Sequence, residues 1–127
     1  MHFTLQEGGE LIGAARISYL KRLDELKYPT EVFGDVGLPD GEPFVFYSRL
    51  VVHPNHQGRG IGNQFDVVRM THIAQSGVKW VLGTCRYRRK ERFKELGFDE
   101  IKTFPEEKLA EFGLGEGCTV IVKRPRT

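Results

Sequence analysis

A β-branched strand runs into a glycine-rich turn in the passage Leu50-Val51-Val52-His53-Pro54-Asn55-His56-Gln57-Gly58-Arg59-Gly60-Ile61-Gly62. Glycines at alternate positions let backbone N–H groups come close to an anion, and the helix predicted after the turn adds the positive end of its dipole. The passage therefore indicates a phosphate or diphosphate site. A tight strand-to-helix corner without a ligand is the alternative that the pattern alone leaves open.

The turn differs from two common phosphate-binding motifs. It is not a P-loop, because no Gly-Lys-Ser/Thr follows the glycines. Its glycine spacing also differs from that of the dinucleotide-binding fingerprint. The chemistry of the turn must therefore be judged from its surroundings.

Strands and helices alternate around this turn. We predict a hairpin over 3–19 at Gly8-Gly9, strands over 44–52, 78–84, 98–104 and 118–123, and helices over 20–27, from the turn to Ser76, and over 88–96. The stretch up to Pro43 is predicted to be irregular, as either a binding loop or a solvated loop. This order predicts an α/β (α+β) fold, with a mixed central sheet and helices on both faces.

Composition limits the function classes. The 127 residues are 39% hydrophobic, which predicts a single domain over 1–127 with a substantial core. A net charge of +2 is too small to argue for nucleic acid or an anionic membrane. Two cysteines, no apolar run of about 20 residues and no signal at the first residues predict a cytoplasmic location.

Two motifs resemble those of one family. The passage from Leu50 to Gly62 resembles the signature of the GNAT superfamily of N-acetyltransferases, Gln/Arg-x-x-Gly-x-Gly/Ala after a strand ending in Val-x-Pro. The later Phe93-Lys94-Glu95-Leu96-Gly97-Phe98 resembles the family's second landmark, Tyr-x-Lys-x-Gly-Phe. The resemblance implies a GNAT-like fold and acetyl-CoA, or another acyl-CoA, as the acyl donor.

The resemblance also implies roles for residues of the turn and the strand before it. The diphosphate would lie on the N–H groups of Gly58, Gly60, Gly62 and Asn63, with the pantetheine arm beside Leu50 and Val52. The Leu50 N–H would act as a small oxyanion hole, where a fixed donor stabilises the charge that develops on the thioester oxygen. The predicted donor-binding set is Leu50, Val52, Gln57, Gly58, Arg59, Gly60, Ile61, Gly62 and Asn63, with Arg59 the side chain best placed for a phosphate.

The general acid and base depart from the family pattern. Phe93 stands where relatives often have a tyrosine, and phenylalanine has no proton to give to the departing thiolate. Tyr87 could replace it, or the thiolate could leave unassisted or be protonated by water. No carboxylate stands in Phe46-Tyr47-Ser48, so Tyr47 is a candidate for a water-relayed base. The catalytic candidates are therefore Leu50, Tyr87 and Tyr47, with a packing role as the alternative for both tyrosines.

The acceptor end also departs from the family. Relatives usually begin with a strand and two helices before the hairpin that starts here at Phe3. We expect the stretch 20–43, or a second subunit of a homodimer, to close the acceptor pocket. The expected partner is a small-molecule or peptide amine, with neither nucleic acid nor membrane.

Three further features have plain alternatives. The basic run over 86–94 is interpreted as a solvated helix face, with contact to CoA or RNA as the other readings. His53 and His56 are not expected to bind a metal, because a third ligand is not evident. Cys85 is interpreted as a small buried side chain rather than a nucleophile.

We therefore predict an acyl-CoA-dependent N-acyltransferase that works by direct attack of an amine in a ternary complex. The alternative is a CoA-binding sensor or interaction module with weak or no activity. It is motivated by Phe93 and by the absent front helices.

Overall fold

The computed structural model describes residues 1–115 and 117–125, apart from the side chains of Arg49 and Tyr87. Its regular elements, in chain order, are β1 His2–Glu7, β2 Glu10–Leu20, α1 Thr30–Phe33, β3 Phe44–Val52, α2 Ile61–Ser76, β4 Trp80–Arg86, α3 Lys90–Glu95, β5 Asp99–Thr103, α4 Glu106–Glu111 and β6 Cys118–Lys123. Short 3-10 turns lie at Leu23–Glu25, Pro54–His56 and Tyr87–Arg89.

The strands form a mixed six-stranded sheet in the order β1-β2-β3-β4-β6-β5. β3 and β4 are parallel, and the other neighbouring pairs are antiparallel. The parallel pair needs a crossover connection, and α2 provides it. In the β1–β2 turn, Gly8 and Gly9 have φ angles of 60° and 81°, the left-handed conformation that tight hairpins require. The predicted mixed sheet and N-terminal hairpin are confirmed.

Helices cover both faces of the sheet, as predicted. Along β3, Phe44 and Phe46 pack on the face covered by α1 and α4, whereas Val45 and Tyr47 pack on the face covered by α2 and α3. This alternation follows from the two-residue period of a strand. The observed bounds of β3, α2 and β6 agree with the predicted ones.

The structure differs from the sequence prediction mainly around two prolines. Pro29 and Pro105 come immediately before α1 and α4, with a φ of −58° each. Proline's fixed φ suits the start of a helix. The stretch before Phe44 is therefore not wholly irregular, and α4 was not predicted. The helix expected over 20–27 is only the Leu23–Glu25 turn, because Leu20 still pairs in the sheet with Phe44.

The other bounds shift by small amounts. The strand expected over 78–84 is Trp80–Arg86, and the helix expected over 88–96 is a 3-10 turn followed by Lys90–Glu95. Within the described part of the chain, no helix is both long and apolar enough to span a membrane.

Candidate functional site

The central feature is a gap between two parallel strands. β3 and β4 pair from Phe44 with Trp80 as far as Tyr47 with Gly83. Beyond that point, Ser48 and residues 50–52 pair only with β2, and residues 84–86 pair with β6. The strands therefore diverge, and one edge of β3 faces an open cleft.

A β-bulge stands where the gap begins. Arg16 pairs with Ser48, but Ala15 pairs with Leu50, so β3 has one extra residue. The extra residue reverses which side chains face α2, because the side-chain period of a strand is two. Tyr47 packs on that face before the bulge, and Leu50 packs on it afterwards. The bulge thus separates the closed half of β3 from the half that borders the cleft.

One helix side chain fastens this bulge. The Arg69 guanidinium donates hydrogen bonds to the carbonyl oxygens of Ser48, at 3.0 Å, and of Arg16, at 3.3 Å. Arg69 is only 1% exposed. It therefore donates to backbone carbonyl groups that the irregular register would otherwise leave without a hydrogen bond.

The direction in which the main-chain groups of β3 point places those of Leu50 and Val52 at the gap. The His53 N–H donates to the Ile12 carbonyl at 2.8 Å, so the main-chain groups of His53 point toward β2. Main-chain groups alternate in direction along a strand, so those of Leu50 and Val52 point the other way, to the cleft. In agreement, the Val52 carbonyl accepts a hydrogen bond from the Gln57 side-chain amide at 3.3 Å. The predicted Leu50 N–H thus faces the gap.

The glycine-rich turn borders the same cleft and carries a row of amides that have no hydrogen-bond acceptor in the described part of the chain. Among the described residues, none accepts a hydrogen bond from the N–H groups of 58–63, and the first such bond of α2 runs from Gln64 to Gly60. Free amides are expected at a helix start, where they attract anions together with the helix dipole. Gly58 and Gly60 have φ angles of 83° and 76°, so the turn uses a conformation that other residues rarely adopt.

Strand edge and turn border one continuous cleft of about 1120 Å³. The donor-binding residues predicted from sequence all border it except Arg59. The stretch predicted to close the acceptor pocket contributes five residues to the cleft wall, Leu20, Glu25, Leu26, Lys27 and Tyr28. The structure thus brings the predicted donor turn, the gap and the 20–43 stretch together.

The Arg59 side chain turns away from this cleft. Its guanidinium lies 3.2 Å from a Glu7 carboxylate oxygen and 2.6 Å from His56 Nδ1, and it borders a smaller cavity. In this arrangement the Arg59 side chain is not available to a ligand in the larger cleft, against the role predicted for it from sequence.

A buried carboxylate lies beneath the gap. Asp66 is 0% exposed and accepts hydrogen bonds from Tyr47 Oη, at 2.7 Å, and from Arg69, at 3.2 Å. Arg89 also donates to it, and Arg92 Nε lies 3.4 Å away. The basic run is therefore not wholly a solvated face, because two of its arginines reach inward to Asp66.

Tyr47 borders the cleft, but its hydroxyl is already engaged. Burial raises the pKa of this hydroxyl far above its usual range, and the nearby Asp66 raises it further against the opposing charge of Arg69. The ring packs edge-on against Phe93, with centroids 5.7 Å apart. The hydroxyl keeps its proton and donates it in the hydrogen bond to Asp66, so it is a poor base in this arrangement. The other candidate tyrosine, Tyr87, has a side chain outside the described residues.

Phe93 and Cys85 both border the cleft as buried side chains, with 4% exposure each. Burial raises the pKa of the Cys85 thiol to about 11, and the neighbouring Cys118 adds to the shift. A thiol with that pKa carries little thiolate at neutral pH, so it is a weak nucleophile. The expectation of a small buried side chain agrees with this geometry.

A third potential metal ligand was missed by the sequence analysis. In the described part of the chain, Glu10, His53 and His56 place ligand atoms within 4.8 Å of one another. However, His53 Nδ1 accepts from the Asn55 N–H, and His56 Nδ1 faces an arginine that can only donate. A histidine that binds metal through Nε2 normally donates from Nδ1, so these rings are in the wrong tautomer. The absence of a metal stays a prediction.

Sequence reasoning missed Asp66, Arg69 and Arg16, the last of which also borders the cleft. The available signal was helical spacing, since Arg69 falls on the same α2 stripe as Ile61, Phe65 and Ile73. A charge on an apolar stripe needs a buried partner, and Asp66, three residues earlier, provides it.

The comparisons with known proteins agree with this geometry. The model of the acetyltransferase (GNAT) family matches residues 1–65, about half of the chain. Among curated proteins, no significant match is found.

Solved acyltransferase structures share the fold. The ribosomal-protein-S18-alanine N-acetyltransferase from Escherichia coli has a TM-score of 0.64 and 15% identity, over 100% of this chain and 70% of that one. An N-acyl amino acid synthase from uncultured soil microbes has a TM-score of 0.69 and 13% identity, over 97% and 66%. N-acetylglutamate synthase from Neisseria gonorrhoeae, complexed with coenzyme A and N-acetyl-glutamate, has a TM-score of 0.58 and 18% identity, over 99% and 26%. At these identities the likeness establishes the fold alone.

Proposed function

Because the chain belongs to the GNAT acetyltransferase family, we propose that it transfers an acyl group from acyl-CoA to an amine, by direct attack of the amine within a ternary complex. The observation that supports this most is the row of free amides over 58–63, beside a strand edge whose Leu50 N–H faces the same cleft. Acetyl-CoA is the default donor.

The residues present fit this donor. The amides of Gly58, Gly60, Gly62 and Asn63 would hold the diphosphate, and the free edge of β3 would hold the pantetheine arm as an added strand. The Val52 carbonyl would exchange its present bond with Gln57 for one with the arm. When bound, acyl-CoA supplies a thioester carbonyl that an amine can attack, with CoA thiolate as the leaving group.

The chain's own contribution is positioning and electrostatic stabilisation. The Leu50 N–H would donate to the thioester oxygen, where negative charge develops during attack. Arg69 holds the bulge next to this N–H, so the donor is fixed before the reaction begins. The acceptor would lie in the part of the same cleft that Tyr28 borders.

Proton transfer relies on solvent in this proposal. Phe93 has no proton to give, and a thiol with an ordinary pKa of about 8.5 leaves readily as a thiolate. Tyr87 stays a candidate acid. Only the uncharged form of the acceptor amine can attack the thioester. The rate of acyl transfer should therefore rise with pH until most of the amine has lost its proton.

The test measures release of free CoA thiol from acetyl-CoA and longer acyl-CoAs, with a panel of small-molecule and peptide amines. Gly60→Val should abolish CoA binding in calorimetry and thiol release, because valine disfavours a φ of 76°. Gly77→Val is the matched control, since Gly77 has a φ of 79° at the other end of α2. It should lose similar stability and retain CoA binding.

The outcomes separate the two candidate functions. Tight CoA binding with neither acyl transfer to any amine nor slow thioester hydrolysis would favour the CoA-binding module. CoA affinity that is equal in Gly60→Val and the wild type would contradict both.

A further inference from the structure

A partly buried arginine borders the cleft beyond the end of the proposed donor site. Arg16 lies on β2, directly opposite Ser48 on β3. Ile17 packs on the α2 face, so the neighbouring Arg16 and Ser18 stand on the opposite face of the sheet. Phe46, which pairs with Ser18, stands on that face too, and Tyr28 packs 5.9 Å from its ring.

The Nε atom of Arg16 is buried and lacks a hydrogen-bond acceptor among the described residues. Within the same part of the chain, no carboxylate forms an ion pair with it. A buried donor without a partner costs stability, and a buried charge costs more. An anionic ligand in the cleft would relieve this cost.

The cleft wall does not supply the missing anion. Its lining holds one carboxylate, Glu25, against the basic side chains Arg16, Lys27, Arg69, Arg86, Arg88 and Arg89. Glu25 already accepts hydrogen bonds from the N–H groups of Lys21 and Arg22, each at 2.9 Å. Arg69 and Arg89, unlike Arg16, are paired with Asp66.

The position of Arg16 assigns it to the acceptor rather than to the donor. Along β3 the turn follows Val52, the proposed oxyanion donor is Leu50, and Ser48 comes before it. Ala15 is opposite Leu50 and Arg16 is opposite Ser48, so Arg16 lies one residue, about 3.3 Å along β2, further from the diphosphate site than Leu50 does. A group bound by Arg16 therefore belongs to the molecule that meets the acyl end of the donor.

We infer that Arg16 binds the carboxylate of an amino-acid-like acceptor, whose amine then faces the acyl group near Leu50. A guanidinium matches a carboxylate through paired N–H groups, and the Ser18 and Ser48 hydroxyls on the same face can add hydrogen bonds. The inference rests on the proposed acyl transfer for its reaction, but the carboxylate site can be measured without turnover.

The experiment compares matched ligands. Calorimetry would measure binding of N-acetyl-leucine and N-acetyl-phenylalanine, each against its carboxamide, to the full chain with and without CoA. Acyl transfer would be measured in parallel with the free amino acids, their amides and the corresponding amines. Arg16→Gln removes the charge, Arg16→Lys retains it, and Arg22→Gln is the control, because Arg22 is exposed and does not border the cleft.

The wild type should prefer the carboxylate ligand by at least about 10-fold, the contribution expected of one hydrogen bond to a charged group. Arg16→Gln should lose that preference without weakening the amide ligand, Arg16→Lys should recover part of it, and Arg22→Gln should keep it. Equal binding of carboxylate and amide by the wild type, or a preference that survives in Arg16→Gln, would overturn the inference. Failure of the proposed function would show separately, either as absent CoA binding or as CoA binding without acyl transfer to any amine.

Discussion

Replacement of Asp66 by alanine should cost this chain a large share of its stability. The change leaves the Arg69 guanidinium, 1% exposed, without its carboxylate, and leaves the Tyr47 hydroxyl without its acceptor. Removing one partner of a buried ion pair typically costs about 3–5 kcal/mol, against about 5–15 kcal/mol for a whole domain. At this chain length the melting temperature should fall by roughly 10–20 °C.

Urea unfolding followed by the fluorescence of Trp80, which is buried at 7% exposure, measures this loss. Asp66→Asn keeps the side-chain shape and one acceptor oxygen. The stability that this variant loses therefore measures the contribution of the negative charge. Glu95→Ala is the control, because Glu95 pairs with Arg92 on the surface and is 69% exposed. That variant should change stability by less than about 1 kcal/mol. A loss below about 1 kcal/mol in Asp66→Ala would show that the buried charge of Arg69 does not depend on Asp66.

Two further predictions concern residues at the gap. Burial raises the pKa of Cys85 to about 11 from 9.0, so this thiol should react with iodoacetamide about 100-fold more slowly at pH 8 than an ordinary thiol. Mass spectrometry of the Cys85 peptide from the wild-type chain measures the rate, and an ordinary rate would contradict this. Gly83→Ala should destabilise the chain more than Gly13→Ala in urea unfolding. At Gly83 a Cβ would lie 2.8 Å from the fixed Tyr47 carbonyl oxygen, whereas at Gly13 it meets, at 2.8 Å, a side-chain ring that can shift. The reverse order would contradict the packing described.

The sequence predicted well those elements with a strong local signal. β3 begins with Phe44-Val45-Phe46-Tyr47 and ends with Val51-Val52, so β-branched and aromatic residues mark both of its ends, and its predicted bounds agree with the structure. α2 is bracketed by Gly60 and Gly77, both with positive φ, so local chemistry marks both of its ends. The family resemblance then supplied the roles of the turn, which local patterns alone left open.

The missed features depend on contacts between distant parts of the chain. Helical spacing marks Arg69 and points to Asp66 as its partner, but the convergence of Tyr47, Arg89 and Arg92 on Asp66 appears only in the folded chain. The bulge depends on the register between β2 and β3, and no residue type specifies that register by itself. Arg16 resembles any surface arginine in the sequence, and its unpaired Nε appears only when its neighbours are in place.

The most direct measurement is an amide NMR titration of the ¹⁵N-labelled chain with CoA and, separately, with pantetheine, which lacks the diphosphate. CoA should shift the amides of Gly58, Gly60, Gly62 and Asn63 most strongly, because these N–H groups are free and border the cleft. Pantetheine should shift Leu50 and leave the turn almost unchanged. Binding of CoA that leaves the turn amides in place, or no binding at all, would contradict the account.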